Sequence, residues 1–346
     1  MTQISLGPQQ GPQEMFLKND ADICIYGGSA GGGKTFSLLL DFLRHFNNKD
    51  AGAVCFRRTS PQVRNEGGLW DTSKKIYGLL GAEPKESVLT WKFPSGCKLK
   101  FGHLEYEKNV LDWQGSQIPI IYLDELTHFT EKQFWYMLSR NRSISSVKPY
   151  IRATTNPSSK SWVRKLVDWY LLPNGKPDLQ KSGIKRYFIR VDDKIIWNEC
   201  SNSLKKEYPA SIPKSFTFIP ANLNDNQILM KQDPTYLANL QALSKFERMQ
   251  LLDGNWNVEE AAGIFFKKHY FTEVNAAPKL VSTVRCWDRA ATEFKEGDKG
   301  DPDYTVGLKL GVDEDGIFYI LDKNVKNEIF NIAAENHMTN MEVASS

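Results

Sequence analysis

The chain has 346 residues, of which 41% are apolar and 12% aromatic, enough to bury one large core or two medium ones. This composition excludes a disordered protein, and the net charge of +3 favours no partner by itself. Five scattered cysteines without a C-x-x-C pair argue against a zinc site and are typical of reduced cytoplasmic thiols. Because no apolar run approaches the roughly 18 residues of a membrane span, we expect no membrane partner.

A glycine-rich loop lies between two predicted elements near the amino terminus. Residues 22–26 (DICIY) predict a short buried strand, and residues 36–46 (FSLLLDFLRHF) predict a helix. The loop between them matches G-x-x-x-x-G-K-[ST], in which backbone N–H groups surround phosphates, the lysine reaches the β- and γ-phosphates and the threonine binds Mg²⁺. The candidate nucleotide-binding residues are Gly28, Ser29, Ala30, Gly31, Gly32, Gly33, Lys34 and Thr35.

A second buried strand is predicted within residues 118–129 (IPIIYLDELTHF), and it ends in two acids. A phosphate loop requires a carboxylate on a neighbouring strand, so we expect Asp124 to face the Mg²⁺ ion. Glu125 is then displaced toward the γ-phosphate, where it can polarise an attacking water, which favours hydrolysis over transfer to a small metabolite. The alternative, a strand that only ends in solvated acids, is disfavoured by the glycine-rich loop.

Two further segments fit an ATP-driven motor. Residues 151–157 (IRATTNP) predict a strand that ends in Thr154, Thr155 and Asn156, whose side chains can bond a γ-phosphate or its water, although such residues also form ordinary turns. Before the first strand, Gln13 can read adenine through its amide. Catalysis also requires an arginine that stabilises charge on the transferred phosphate. The candidates are Arg57, Arg58, Arg140 and Arg142, of which Arg140 and Arg142 are assigned to the catalytic set.

Positive charge is concentrated in residues 151–210, which carry twelve Lys/Arg and six Asp/Glu, a net of +6. An ordinary solvated face is the alternative, but these cations are interleaved with aromatic residues, an arrangement that suits a phosphate backbone. The sequence contains no helix-turn-helix or zinc-finger pattern, so sequence-specific binding is not predicted. The aromatic residues are Trp162, Trp169, Tyr170, Tyr187 and Trp197.

Taken in order, several segments resemble the large terminase subunit of tailed bacteriophages. Its ATPase domain is matched by GPQEMFLKNDADICIYGGSAGGGKT, CFRRTSP with GGLWD, IIYLDELTHF and RATTNPSSKSWV. The segments FIPANLNDN and DPTYLANLQALSKFERMQLLDGNW resemble the family's connecting region. The loop and the two acids are common to many ATPases, whereas the ordered series is specific. The resemblance extends from about Leu6 to Leu321.

The resemblance implies an α/β fold: a RecA-like P-loop ATPase domain with a mostly parallel sheet at 1–208, a linker subdomain at 209–262, and the start of an RNase H-like nuclease domain at 263–346. It implies a motor that hydrolyses ATP with Mg²⁺, threads double-stranded DNA into a procapsid and, when full length, cleaves concatemeric DNA. Lys34, Thr35, Asp124 and Glu125 keep the roles given above. The family's coupling motif is matched by Thr154, Thr155 and Asn156. Many large terminases carry an arginine within the phosphate loop, which this chain lacks, so that arginine must come from elsewhere, such as a neighbouring subunit.

The resemblance also implies the setting of the protein. We expect a homo-oligomeric ring that works with the terminase small subunit and the portal protein. The expected location is the cytoplasm of the bacterial host, and the protein is not expected to be a stable part of the virion. Two other functions stay open: a prophage remnant that binds nucleotide or DNA without turnover, and another DNA-dependent ATPase or helicase.

A different pattern begins near residue 281. VRCWDRAAT predicts a strand that ends at Asp288, and the following alternation predicts a hairpin with a turn at DEDG. By resemblance to RNase H-like nucleases, Asp288 is a candidate catalytic residue and ligand of Mg²⁺ or Mn²⁺, with Asp303 as an outer helper. Residues 327–346 supply at most one more helix. We therefore expect a fragment, a frameshifted product or an artificially shortened chain that hydrolyses ATP but does not cleave DNA.

Overall fold

The computed structural model describes residues 6–258, 270–288 and 306–321, and the chain divides into two compact units, 1–261 and 262–346. The first unit is built on a ten-stranded sheet. Its strands are β1 (Ile23–Gly28), β2 (Gly52–Arg57), β3 (Glu83–Lys85), β4 (Thr90–Lys92), β5 (Lys98–His103), β6 (Ile120–Leu123), β7 (Tyr150–Thr155), β8 (Arg186–Val191), β9 (Lys194–Asn198) and β10 (Lys214–Ala221).

The strand order is β3-β4-β5-β2-β6-β7-β1-β10-β8-β9. All neighbours from β5 to β10 along this order pair in parallel, whereas β3 and β4 at one edge and β8 and β9 at the other pair antiparallel. Every residue of β1 and β6 is buried, as expected for parallel strands covered on both faces. The predicted α/β fold with a mostly parallel sheet is confirmed.

Helices cover the sheet. They are α1 (Pro12–Lys18), α2 (Lys34–Asp41), α3 (Ser60–Arg64), α4 (Leu69–Tyr77), α5 (Glu131–Arg140), α6 (Val163–Val167), α7 (Ser201–Glu207), α8 (Gln227–Gln232), α9 (Tyr236–Gln241) and α10 (Lys245–Leu251). Local chemistry sets several of their starts. At α5, for example, Thr130 accepts a hydrogen bond from the Gln133 backbone, and the Gln133 side chain bonds back to the Thr130 backbone.

The hydrophobic core has two clusters, which divide the residues of the central strands between them. In β1, Cys24 and Tyr26 belong to one cluster, and Ile23 and Ile25 belong to the other. Because side chains alternate along a strand, this division places one cluster on each face of the sheet. The sheet is therefore held rigidly between two apolar layers.

A buried polar cluster ties α2 to the central strands. The Asp41 carboxylate, at the end of α2, accepts hydrogen bonds from the hydroxyls of Tyr122 on β6 at 2.9 Å and Tyr150 on β7 at 2.8 Å. Arg44 pairs with the same carboxylate at 2.7 Å. The two hydroxyl donors on one oxygen and the cation near the other offset much of the cost of burying this carboxylate. These contacts fix the position of α2 relative to the strands that carry the predicted acids.

Some predicted elements differ in length from those of the structure. The helix predicted at 36–46 is α2 followed by a 3-10 turn at Phe42–His45. Residues 236–251 contain two helices, α9 and α10, because Ser244 forms a capping box with Glu247 and starts a new helix. Strand β10 lies inside the range predicted as a linker, between β1 and β8. The predicted domain limits stay a prediction.

The described part of the second unit is a three-stranded antiparallel sheet. It consists of β11 (Leu280–Asp288), β12 (Val306–Asp313) and β13 (Phe318–Ile320), in that order. The strand predicted to end at Asp288 and the hairpin turn at DEDG are confirmed, and Gly316 takes the left-handed conformation in that turn. The Asp288 side chain, Asp303 and residues 327–346 lie outside the described residues. In the described ranges, no helix is both long enough and apolar enough to cross a membrane.

Candidate active site

Four neighbouring parallel strands of the sheet have their carboxyl ends next to one another. In the order β2, β6, β7 and β1 they are parallel, so their carboxyl ends lie side by side. The glycine-rich loop follows β1, and the two predicted acids follow β6. Of the predicted polar residues Thr154, Thr155 and Asn156, the two threonines end β7 and the asparagine follows it. Clefts at the carboxyl ends of parallel strands are the usual ligand sites of open α/β sheets. The structure thus brings these three predicted segments together.

The loop after β1 needs its glycines. Gly28 has φ +138° and Gly33 has φ +72°, values in the region that L side chains rarely adopt. A Cβ atom at Gly28 would also collide with the carbonyl oxygen of Ala221 on β10. Helix α2 begins directly after Gly33, so the loop leads into a helix N-terminus, where backbone N–H groups favour an anion.

Lys34, the first residue of α2, is only 8% exposed, and its Nζ donates to the loop carbonyl of Ser29 at 2.7 Å. Burial lowers the pKa of Lys34, and the charges of Glu125 and Asp124 oppose that shift. The N–H of Ser29 donates to the Ala221 carbonyl, and the N–H of Ala30 donates to the Leu251 carbonyl. These two predicted phosphate ligands are therefore engaged with the protein in this arrangement.

Asp124 is fully buried and lies at the centre of the site. Its Oδ2 is 3.2 Å from the Thr35 hydroxyl, and its Oδ1 accepts from the Thr154 hydroxyl at 2.5 Å. Arg57 donates to Oδ2 through Nε at 2.6 Å. A hydroxyl beside a carboxylate supplies the hard oxygen ligands that Mg²⁺ prefers, so the donors fit the predicted ion. In the described part of the chain, no three His, Cys, Asp or Glu side chains are close enough to hold a metal by themselves.

Glu125 is held by residues at the end of β7. Its backbone takes φ +61°, which is uncommon for a non-glycine residue, and its N–H donates to the Thr154 hydroxyl at 3.0 Å. The Asn156 amide donates to both carboxylate oxygens, at 3.0 and 3.2 Å. Burial raises the pKa of Glu125 above its ordinary value, and the charge of Asp124 adds to the effect. A raised pKa makes this carboxylate a stronger base than a solvated glutamate.

Three predicted ligand residues contain buried polar atoms that have no hydrogen-bond partner among the described residues. These are Nε2 of Gln13, Oγ of Ser29 and Oδ1 of Asn156. The Gln13 amide lies against Gly33, since a Cβ atom there would collide with Nε2. An unmade hydrogen bond at a buried group costs about 1–3 kcal/mol, so these three groups fit a site that binds a polar ligand or water.

The structure does not bring Arg140 and Arg142 to this site within one chain. The Arg140 carbonyl accepts from the N–H of Ile118, and the Arg142 guanidinium donates to the Gly115 carbonyl at 3.0 Å. Both contacts involve residues that precede β6, whereas Asp124 follows it. The two arginines therefore lie toward the end of the sheet at which the parallel strands begin. Within one chain these two arginines are not part of the site, and their assignment to the catalytic set stays a prediction.

Sequence reasoning alone misses two contacts. It leaves Arg57 as one candidate among four, and only the pairing of β2 with β6 shows that Arg57 lies beside the acids. Arg58 instead donates to the Gln133 side chain at 2.6 Å. The Thr154 side chain, predicted to face a γ-phosphate, bonds through its hydroxyl to both acidic residues after β6. Thr155 bonds to the carbonyl of Asn156.

Comparison with known proteins identifies the family. A profile described as "Terminase large subunit, T4likevirus-type, N-terminal" matches residues 25–269. No curated protein has significant sequence similarity to the chain. Among solved structures, the large terminase of a thermophilic bacteriophage aligns with a TM-score of 0.50 and 14% identity, over 98% of this chain and 73% of that one.

Two further structures align less closely. The large terminase ATPase domain of Thermus phage P74-26 gives a TM-score of 0.45 and 10% identity, over 71% of this chain and 93% of that one. The large terminase of bacteriophage HK97 gives 0.42 and 13%, over 92% and 62%. The family profile covers well over half of the chain, and the thermophilic phage protein shares its fold, which confirms the predicted resemblance. This chain belongs to the family of large terminase subunits.

Proposed function

We propose that the chain is the ATP-hydrolysing motor subunit of a phage terminase, which moves double-stranded DNA into the procapsid. The contact between Thr35 and Asp124 carries this proposal, because it joins the glycine-rich loop to the acidic end of β6 in a single site. The large terminase of the thermophilic bacteriophage was solved with ADP and with ATP-gamma-S, which supports ATP as the nucleotide.

The residues brought together at this site then have separate roles in hydrolysis. Gln13 binds the adenine, and the loop with Lys34 binds the phosphates. Thr35 and Asp124 would hold Mg²⁺, which would neutralise charge on the phosphate oxygens. Glu125 orients a water and accepts its proton as the water oxygen bonds to the γ-phosphorus. The bond from that phosphorus to the β–γ bridging oxygen breaks, which gives ADP and phosphate.

Phosphate release tests this proposal. With ATP and Mg²⁺, we expect steady-state turnover above the protein-free rate and an increase when double-stranded DNA is added. A protein that binds ATP but releases no phosphate, with DNA and procapsids present, would instead be the non-catalytic remnant. Strand displacement from a forked duplex would favour a helicase.

A surface of cations on aromatic rings supports DNA as the partner. The Arg186 guanidinium lies 4.9 Å from the centre of the Trp169 ring and 5.1 Å from that of Trp197. Lys181 lies 4.9 Å from Trp169, and Arg190 is exposed. Rings hold such cations in fixed directions at little cost, which suits a row of phosphates. Of the aromatic residues predicted here, Tyr170 is buried in the core and is not part of this surface.

Binding to this surface should depend on salt and not on DNA sequence. If Lys181, Arg186 and Arg190 each neutralise one phosphate, the slope of log K against log salt is about −2.7. We expect fluorescence anisotropy with two unrelated 30-mer duplexes to give equal affinities and slopes, and the triple alanine variant to lose most of the slope. A double alanine variant of the exposed Lys74 and Lys75 is the control. Salt-independent binding would contradict the proposal.

The remaining parts of the proposal follow the family. We propose a homo-oligomeric ring in the cytoplasm of the bacterial host, with the terminase small subunit and the portal protein as partners. The arginine that stabilises charge on the transferred phosphate comes either from a neighbouring subunit of the ring or from the same chain. The expected lack of DNA cleavage, and the role of Asp288 in binding Mg²⁺ or Mn²⁺, stay predictions.

A further inference from the structure

Arg57 is the last residue of β2 and lies beside the acidic end of β6. Its Nε donates to Asp124 Oδ2 at 2.6 Å, and its Nη2 lies 2.5 Å from the same oxygen. The Asp124 side chain is fully buried, whereas 19% of the Arg57 side chain is exposed. The guanidinium is therefore held on one carboxylate oxygen but still reaches the solvent side of the site.

The oxygen that Arg57 binds is also the one nearest to Thr35. The Thr35 hydroxyl is 3.2 Å from Asp124 Oδ2 and 3.4 Å from Oδ1. The Arg57 guanidinium and the Thr35 hydroxyl, a proposed Mg²⁺ ligand, thus contact the same carboxylate oxygen. A divalent cation held by Thr35 and Asp124 would repel the guanidinium on the same carboxylate. We therefore expect metal binding and the Arg57–Asp124 contact to compete.

An arginine displaced from this carboxylate has a strong new acceptor close by. A triphosphate bound by the loop carries several negative oxygens, and a guanidinium binds phosphate with two parallel hydrogen bonds. The other arginine at the end of β2 is already engaged, since Arg58 donates to the Gln133 side chain, which in turn bonds the carbonyls of Leu104 and Tyr106. Arg57 is thus better placed than Arg58 to change partner.

We propose that Arg57 leaves Asp124 when ATP and Mg²⁺ bind, and that its guanidinium then contacts the γ-phosphate of the same chain's nucleotide. One arginine thereby occupies the carboxylate in the nucleotide-free protein and stabilises negative charge on the phosphoryl group during hydrolysis. This inference rests on the proposed function, ATP hydrolysis at this site. It assigns to Arg57 the role that the sequence analysis gave to Arg140 and Arg142.

Turnover and ATP binding give the first test. Arg57→Ala should lower kcat by about 10³-fold, the lower end of the range for such arginines, and weaken ATP binding by no more than about tenfold. The kcat of Arg57→Lys should lie between that of Arg57→Ala and that of the unaltered protein, because lysine keeps the charge but loses the paired hydrogen bonds. Arg64→Ala, which removes an exposed arginine of α3, should behave like the unaltered protein.

A second test needs no turnover. Electron paramagnetic resonance of Mn²⁺, titrated into the nucleotide-free protein, reports competition at Asp124 directly. Removal of a unit positive charge next to the carboxylate should tighten Mn²⁺ binding to Arg57→Ala by at least about tenfold. Arg64→Ala should bind Mn²⁺ as the unaltered protein does. Circular dichroism melts of both alanine variants establish that they are folded.

The outcomes separate this inference from the proposed function. Turnover of Arg57→Ala at the rate of the unaltered protein would overturn the catalytic role. A lower kcat with unchanged Mn²⁺ affinity would overturn the exchange of partners, since Arg57 would then not compete with the ion. If the unaltered protein has no ATPase activity, the proposed function is wrong, and the Mn²⁺ comparison still decides whether Arg57 and a divalent ion compete.

Discussion

Glu125→Gln is expected to abolish ATP turnover while leaving ATP binding nearly unchanged. Glutamine keeps the size of the side chain and can still bond Asn156, but it cannot accept a proton from the attacking water. A positioned general base contributes about 10²- to 10⁴-fold, so kcat should fall by at least about 100-fold. Coupled phosphate-release kinetics and a titration with a fluorescent ATP analogue measure the two quantities separately.

Glu66→Gln is the matched control, because Glu66 is an exposed carboxylate in the connection between α3 and α4. The Glu66→Gln variant should have the kcat and the ATP affinity of the unaltered protein. If Glu125→Gln retained more than about a tenth of the turnover, Glu125 could not be the general base. If ATP binding were lost together with turnover, the carboxylate would support the structure of the site and not the proton transfer.

Lys34→Ala is expected to weaken ATP binding strongly without unfolding the protein. The Nζ atom bonds a carbonyl of its own loop in this structure, so its ammonium is already directed into the loop that would hold the phosphates. Loss of a charge-assisted contact to phosphate costs about 1.5–3 kcal/mol, which corresponds to a weakening of about 10- to 150-fold. Isothermal titration calorimetry with ATP and Mg²⁺ measures this change.

The stability of the Lys34→Ala variant should stay close to that of the unaltered protein. Lys34 is buried and burial lowers its pKa, so its replacement removes a charge that is costly to desolvate as well as a hydrogen bond. Lys49→Ala, in the exposed connection before β2, is the control for the loss of one lysine. Unchanged ATP affinity in Lys34→Ala would show that the loop does not bind the phosphates.

Local chemistry made part of the site predictable. The glycine-rich loop has a strand before it and a helix after it, and positive φ at Gly28 and Gly33 explains why those positions carry glycine. The apolar run into Asp124 and Glu125 predicted a buried strand, and β6 is fully buried. In parallel sheets the carboxyl ends of strands lie at one edge, so the meeting of these segments could be expected from their order.

Other features depend on pairings between distant parts of the chain. Strand side chains alternate between faces, so the pair Arg57 and Arg58 cannot be resolved without knowing which face of β2 meets the site. The distance of Arg142 from the acids follows from how the loop after α5 folds back on the residues before β6. Likewise, the Thr154 hydroxyl bonds to both Asp124 and Glu125 because β7 lies next to β6. No local sequence pattern specifies that these two strands are neighbours.

Local patterns were enough to predict the loop, the two acids and the α/β class, because these depend on short-range periodicity and on residue types with specific chemistry. The family followed instead from a resemblance of ordered motifs, which the family profile confirms. Pairing between distant segments was needed to show that β10 joins the large sheet, that Arg57 binds Asp124, and that Arg140 and Arg142 lie away from the acids of their own chain. The physical reason is that strand order and side-chain direction are set by long-range packing of both faces of the sheet, to which each local segment contributes only a part.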